Sequence, residues 1–225
     1  MWPPPLLADL PEEDVQRLLQ ASRRRIFARG EIMWHEGDLG DTLHFIMSGR
    51  IAVSVMSRYG QQLTFAVMGP GECVGELALL DSDRVRSATV KALEPTETRS
   101  IRRSDFEAAR REHPGVNDVL VRILAARVAR LSNRLQDALY VAVDTRVLRC
   151  VLEMAQLYGG APGTVIPLTQ DDLAGLAGTA RATVNRVLRH EQGKGSLLLG
   201  RHRVTVLDPQ GLARRAELEE TARPG

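Results

Sequence analysis

The sequence is poor in cysteine, lysine and aromatic residues. Cys73 and Cys150 are its only cysteines. Two cannot hold a four-cysteine zinc or iron–sulfur site, and they suit a reducing compartment better than a disulfide-stapled secreted domain. Both read as buried filler. Phe, Trp and Tyr together make up 4% of the chain, so the core has to be built from aliphatic side chains. No apolar run approaches the roughly 18 residues that a membrane helix needs. Met1-Trp2-Pro3-Pro4-Pro5 carries neither the cationic nor the apolar segment of a secretion signal. A cytoplasmic protein with no membrane partner is expected. No nucleophile–base pair and no cluster of metal-ligating residues stands out, which argues against an enzyme and against a metal site. What remains is 225 residues, 44% hydrophobic and 26% charged. That is an ordinary globular composition for one large domain or two average ones.

The net charge of +2 conceals an asymmetry. Residues 1–143 hold 19 basic and 19 acidic side chains. Residues 181–203 hold six basic ones (Arg181, Arg186, Arg189, Lys194, Arg201, Arg203) against Glu191 alone. An excess of five cations in 23 residues is the footprint of a polyanion-binding face, although a plain solvated face can look the same.

The hydrophobic pattern changes twice along the chain. Residues 6–25 read as a helix, with Pro11 at its start, Glu12, Glu13 and Asp14 at the positive end of the dipole, and Val15, Leu18 and Leu19 as the apolar face. From 26 to 101, short apolar runs are punctuated by glycines: Leu43–Met47, Ile51–Val55 and Leu63–Val67. Strands at this spacing predict an antiparallel barrel or sandwich. Ser104 is placed to cap a short helix. Over 116–142, Val121, Leu124, Val128, Leu131, Leu135, Ala138 and Ala142 recur at steps of three and four. This narrow stripe suits the seam of a parallel coiled-coil homodimer better than globular packing. A hinge is expected at Asp144-Thr145. A helix with Val147, Leu148, Val151, Leu152 and Ala155 on one face follows it.

Residues 169–188 carry the sharpest local signal. Thr169 and Asp172 form a capping-box-like start. Gly178 breaks the helix, and Thr179 is placed to cap a second one whose buried side is Val184, Val187 and Leu188. Ala174, Gly178 and Val184 fall where a helix-turn-helix needs a small residue, a left-handed turn and a branched packing residue. The outer side of the second helix bears Arg181, Ala182, Asn185, Arg186 and Arg189. Such a face can enter a major groove, with Arg181 and Arg186 donating bidentately to guanine O6 and N7. Leu197–Leu199 and Val204–Val206 then flank a basic tip, as in a wing. Thr169, Gln170, Thr179, Arg181, Thr183, Asn185, Arg186, Arg189 and Arg201 are the candidate DNA contacts. Arg201 is expected to position on phosphate rather than to specify sequence.

A second constellation is Gly75-Glu76-Leu77-Ala78-Leu79-Leu80 followed by Arg86-Ser87. Gly75 lets a backbone N–H approach an anion, and Arg86 offers a charged fork for phosphate oxygens. Ionised Glu76 accepts from a hydroxyl such as that of a ribose. Ser87 adds a hydroxyl. A plain Glu76–Arg86 ion pair is the competing reading.

Together these segments resemble the CRP–FNR transcription regulators. Arg29-Gly30-Glu31, His35-Glu36-Gly37-Asp38, Gly40-Asp41, Ile46-Met47-Ser48-Gly49 and Gly69-Pro70-Gly71-Glu72 look like a cyclic-nucleotide-binding β-roll. Gly75-Glu76-Leu77 and Arg86-Ser87 match its phosphate-binding cassette, including the ten-residue step from Glu to Arg. The resemblance spans about residues 6–212. It implies an α+β protein: a jelly-roll-like β-roll over 1–115, a dimerisation helix over 116–143 and a winged helix-turn-helix over 144–225. It further implies a homodimer that binds double-stranded operator DNA under the control of a cyclic nucleotide, with cyclic AMP the expected allosteric ligand and no other cofactor. RNA polymerase is among the partners such a regulator could meet. Gly75, Glu76, Leu77, Ala78, Arg86, Ser87 and Ser132 would hold the nucleotide. Two positions depart from the family. Leu131 stands where cyclic AMP receptors carry a polar residue, and Ala182 stands where the recognition helix usually has Glu. Cyclic GMP, another ligand, a haem held through His35, His44 or Cys73, or constitutive activity stay open, as does a cyclic-nucleotide-binding module without DNA binding.

Overall fold

The computed structural model describes residues 11–58, 62–80, 83–112 and 115–221. They divide into two compact units. One runs to Met56 and resumes over Ala66–Arg130; the other joins Ser57–Phe65 to the chain from Leu131 onward.

The first unit opens with helix α1 (Glu12–Ala21), which starts directly after Pro11 and buries Val15 and Leu18. The part of the expected helix before residue 11 lies outside the described residues. Then come β1 (Arg23–Phe27), β2 (Ile32–Trp34), β3 (Thr42–Ser48), β4 (Ile51–Met56), β5 (Gln62–Met68), β6 (Cys73–Val74), the single-turn helix α2 (Leu77–Leu80), β7 (Thr89–Ala92) and β8 (Thr96–Arg102). They form two four-stranded sheets, ordered β1-β8-β3-β6 and β2-β7-β4-β5. The described pairings in both are antiparallel. Leu43, Phe45, Ile46, Ile51, Val90, Ala92 and Ile101 are almost fully buried, which is the aliphatic core that the scarcity of aromatics demands.

Helix α3 (Arg103–Glu112) follows β8, and the long α4 (Gly115–Tyr140) comes next. Ser104 lies inside the first turn of α3 rather than in front of it as a cap. Leu18, Leu43, Phe45, Ile101, Phe106, Val116, Leu120 and Ile123 make one cluster, so the start of α4 packs on the β-roll. Further along α4 the apolar side chains have no cover in the single chain. Val121, Val128, Leu131 and Leu135 are each more than 60% exposed.

In the second unit, α5 (Val143–Leu157) is followed by β9 (Thr164–Ile166), α6 (Gln170–Ala177), α7 (Arg181–Gly193), β10 (Leu197–Gly200), β11 (Arg203–Val206) and α8 (Pro209–Thr221). The break between long helices falls at Val141-Ala142. Asp144 and Thr145 are already in the first turn of α5, so the expected hinge shifts by a few residues. Thr169 and Asp172 make a full capping box at the start of α6. Gly178 ends α6 at φ 61°, a left-handed conformation natural to glycine. Thr179 does not cap α7. Its N–H donates to Ala174 O at 2.9 Å and closes α6, and the N-cap position of α7 falls to Ala180, whose methyl group accepts no hydrogen bond. The sheet β10-β11-β9 is antiparallel and presents the expected wing, with Arg201 and His202 at its tip.

Candidate nucleotide and nucleic-acid sites

The cassette centres on Arg86, which is only 4% exposed. Its Nη1 donates to Thr42 O at 2.9 Å and Gly75 O at 3.2 Å, and its Nη2 to Thr42 Oγ1 at 2.8 Å. The Trp34 ring lies 4.0 Å beneath the guanidinium carbon, a cation–π contact, while Trp34 Nε1 donates to Ala88 O. Among the described residues no carboxylate pairs with Arg86, and its Nε is buried without an acceptor. Burial pulls its pKa down, against the opposing fields of Asp41, Glu76 and Asp38. A buried guanidinium held by dipoles, with one donor unused, is a positive charge arranged for an incoming anion.

Two glycines make room for it. A Cβ on Gly40 would sit 2.1 Å from Arg86 Nε, and one on Gly75 would sit 2.5 Å from Nη1 and 2.7 Å from Thr42 O. Gly75 also holds φ at 93°, which other residues rarely adopt. The plain Glu76–Arg86 ion pair is not formed. Glu76, 1% exposed, is instead bound at 2.9 Å by Arg127 of α4, which also donates to Cys73 O. Burial raises the Glu76 pKa, opposed first by Arg127. Ala78 is buried, whereas Leu77 and Ser87 are exposed. Ser132 and Leu131 belong to the second unit and are exposed on α4.

Behind Arg86, Thr42 Oγ1 lies 3.3 Å from His44 Nε2, and His44 Nδ1 lies 3.0 Å from Thr98 Oγ1. Burial, then the charges of Arg86 and Arg25, push the His44 pKa down to about 3, which keeps the ring neutral.

In the second unit, Thr169, Gln170, Arg181, Asn185 and Arg201 line one groove of about 380 Å³ between α6, α7 and the wing. Thr179, Thr183, Arg186 and Arg189 lie outside that lining. Asn185 donates to Gln170 at 2.9 Å and accepts from Arg189 at 3.0 Å, a relay along the outer side of α7. Thr169 is committed to its capping box, its hydroxyl 2.6 Å from Asp172 Oδ2. Both arginines expected to read bases have carboxylate partners. Arg181 is 3.2 Å from Asp171, and Arg186 reaches both oxygens of Asp144 at 2.9 and 2.5 Å.

Residues 24–113 match the cyclic nucleotide-binding domain family, and residues 145–215 match the Crp-like helix-turn-helix domain family. A CRP-like cAMP-activated global transcriptional regulator of Mycobacterium tuberculosis is 34% identical over 198 residues, 84% of this chain and 86% of its own. The cyclic AMP receptor protein of Thermus thermophilus is 34% identical over 202 residues, 90% of this chain and 92% of its own. This chain belongs to the CRP–FNR family of transcription regulators. Among solved structures, the Thermus thermophilus catabolite activator protein aligns with a TM-score of 0.55 at 33% identity, over 95% of this chain and 98% of its own. A c-di-GMP-responsive global regulator of Xanthomonas campestris aligns with a TM-score of 0.74 at 20% identity, over 88% and 99%, a likeness of fold alone.

In this CRP–FNR regulator, a cyclic-nucleotide-binding β-roll and a DNA-binding helix-turn-helix therefore share one chain. Several side chains that shape the two sites carry no signal in the sequence. Thr42 and Trp34 are brought to Arg86 by the fold alone, across roughly 40 to 50 positions of the chain, and the Gly40-Asp41 segment does not reveal that Gly40 makes room for Arg86. Arg127 reads only as one of several cations outside the apolar stripe of α4, and nothing in the sequence points it at Glu76. Arg146 donates to Ala138, Val141, Ala177 and Gly178 carbonyls and so joins the end of α4 to the helix-turn-helix turn. No motif marks it.

Proposed function

We propose that this protein is a homodimeric regulator whose affinity for operator DNA is set by a cyclic nucleotide held at Arg86, with cyclic AMP the first expectation. The observation that carries the reading is Arg86: buried, with one donor unused and no paired carboxylate among the described residues. A cyclic phosphate supplies the missing charge, and ionised Glu76, fixed by Arg127, would accept from a ribose hydroxyl. Cyclic AMP is favoured because the relatives from Mycobacterium tuberculosis and Thermus thermophilus are named for it. The uncovered Val121, Val128, Leu131 and Leu135 support dimerisation through α4. Its place of action would be the cytoplasm, where operator DNA is reached. No enzymatic role is proposed.

A second cyclic nucleotide is the alternative that one residue favours. Leu131 gives an adenine amino group no hydrogen bond, so a different base is compatible with the phosphate half of the site. A haem through His44 is disfavoured, because both ring nitrogens already face threonine hydroxyls. Calorimetric titration with cyclic AMP, cyclic GMP and c-di-GMP decides among these. Saturable binding of cyclic AMP at one per chain, tighter than the other two, is expected. A folded protein that takes up none of the three would refute the reading.

A further inference from the structure

We infer that Asp144 is an autoinhibitory residue of the DNA-binding unit: it holds Arg186 in an internal ion pair that duplex DNA must displace. The inference rests on the helix-turn-helix of this family binding DNA. Three observations support it. The pair is two-pronged, with Nη1 and Nη2 of Arg186 at 2.9 and 2.5 Å from the two carboxylate oxygens, the same fork geometry that a guanine edge or a phosphate would engage. Asp144 is held as a carboxylate: the hydrogen bonds from Arg186 pull its pKa below the ordinary value, and it sits in the first turn of α5, where the helix dipole favours a negative charge. The pair is also accessible: the Arg186 side chain is 60% exposed and that of Asp144 35%, so an incoming polyanion can reach the guanidinium.

The consequence is a general restraint on binding. A carboxylate already occupying the fork competes with every DNA group that Arg186 can engage, a guanine edge and a phosphate alike. The internal pair therefore lowers the affinity for duplex DNA by the cost of breaking it. Arg181 and Asp171 repeat the arrangement more weakly, with a single approach at 3.2 Å.

The groups facing Arg186 differ between Asp144 and an asparagine by one charge, so Asp144→Asn should free the fork without changing the shape of the turn. The measurement is binding of a mixed-sequence duplex pool by fluorescence anisotropy across a salt series, for wild type, Asp144→Asn, Arg186→Ala and the double variant. Asp144→Asn should bind the pool about two- to five-fold more tightly per recognition helix, the scale of one exposed ion pair. Its log K against log salt should steepen by about one unit for each helix that newly engages a phosphate. In the Arg186→Ala background the substitution should gain nothing. Asp144→Ser, also tolerated in a first helical turn, should reproduce the effect if asparagine disturbs folding, and Asp144→Glu should stay near wild type. Unchanged or weaker binding by Asp144→Asn, or the same gain without Arg186, would overturn the inference. Failure of every variant, wild type included, to bind duplex would overturn the DNA-binding reading along with it.

Discussion

Arg86 concentrates the chemistry of the β-roll in one side chain. Its fork is aimed by the Thr42 carbonyl and hydroxyl, the Gly75 carbonyl and the Trp34 face. Removing it by Arg86→Ala should cost roughly 3 kcal/mol or more of cyclic-nucleotide binding, or abolish it, since the phosphate then lies desolvated without a counter-charge. Gly40→Ala is the subtler test. The three atoms that its Cβ would meet first all belong to the side chain of Arg86, Nε the nearest at 2.1 Å. The fold should survive, as circular dichroism would show, while calorimetry reports weaker binding. Wild-type affinity in either variant would remove Arg86 from the site. His44 yields a pH effect. Its pKa in the folded protein, about 3, lies below the ordinary histidine value of about 6.5. The unfolded chain then takes up a proton that the folded chain refuses. The resulting stability is fully present above pH ~6.5 and is lost as pH falls toward 3, at up to about 1.4 kcal/mol per pH unit. Urea melts from pH 7 to 4 should show this slope, and His44→Gln should flatten it. Glu76, Arg86 and Ser87 could be named from sequence because the cassette is local. Thr42, Trp34 and Arg127 could not, because strand pairing and helix packing bring them in from distant positions.

At the scale of elements, α7 and the wing are expected to divide the labour on DNA. Arg181 lines the groove with Asn185, and Arg201 sits at the wing tip. Arg181→Ala should cost about 1–3 kcal/mol at a preferred operator and relax preference at one base pair per half-site. Arg201→Ala should weaken all sequences alike and lower the salt slope by about one unit for each phosphate left without its arginine. Selection from a random duplex library, followed by salt titrations, separates the two; equal sequence dependence would contradict the division. Elements with strong local rules were legible in the sequence. The capping box at Thr169, the turn at Gly178 and the wing hairpin all stand where their residue types demand. The misplacements arose where two signals overlapped. Thr179 is a good cap by type, but it stands one residue too early, because α7 starts behind Ala180. Asp144-Thr145 reads as a hinge because polar residues interrupt an apolar pattern, whereas their helical first turn puts the break at Val141-Ala142.

For the molecule as a whole, the proposed dimer rests on the apolar side of α4. Val128 and Leu135 are 62% and 61% exposed in the single chain, so Val128→Glu with Leu135→Glu should disturb its fold little. In a seam the same charges would be buried and unpaired. Light scattering should report a dimer for wild type and a monomer for the double variant; a dimer in both would place the interface elsewhere. The central claim is that nucleotide and DNA are coupled through one protein, and coupling is reciprocal. The direct test selects an operator from a random duplex library. It then measures operator affinity with and without cyclic AMP, and cyclic AMP affinity with and without the operator, at one fixed salt concentration. The account predicts that each ligand tightens the other by the same factor, about 5- to 150-fold. Operator affinity that does not change when cyclic AMP is bound would contradict it.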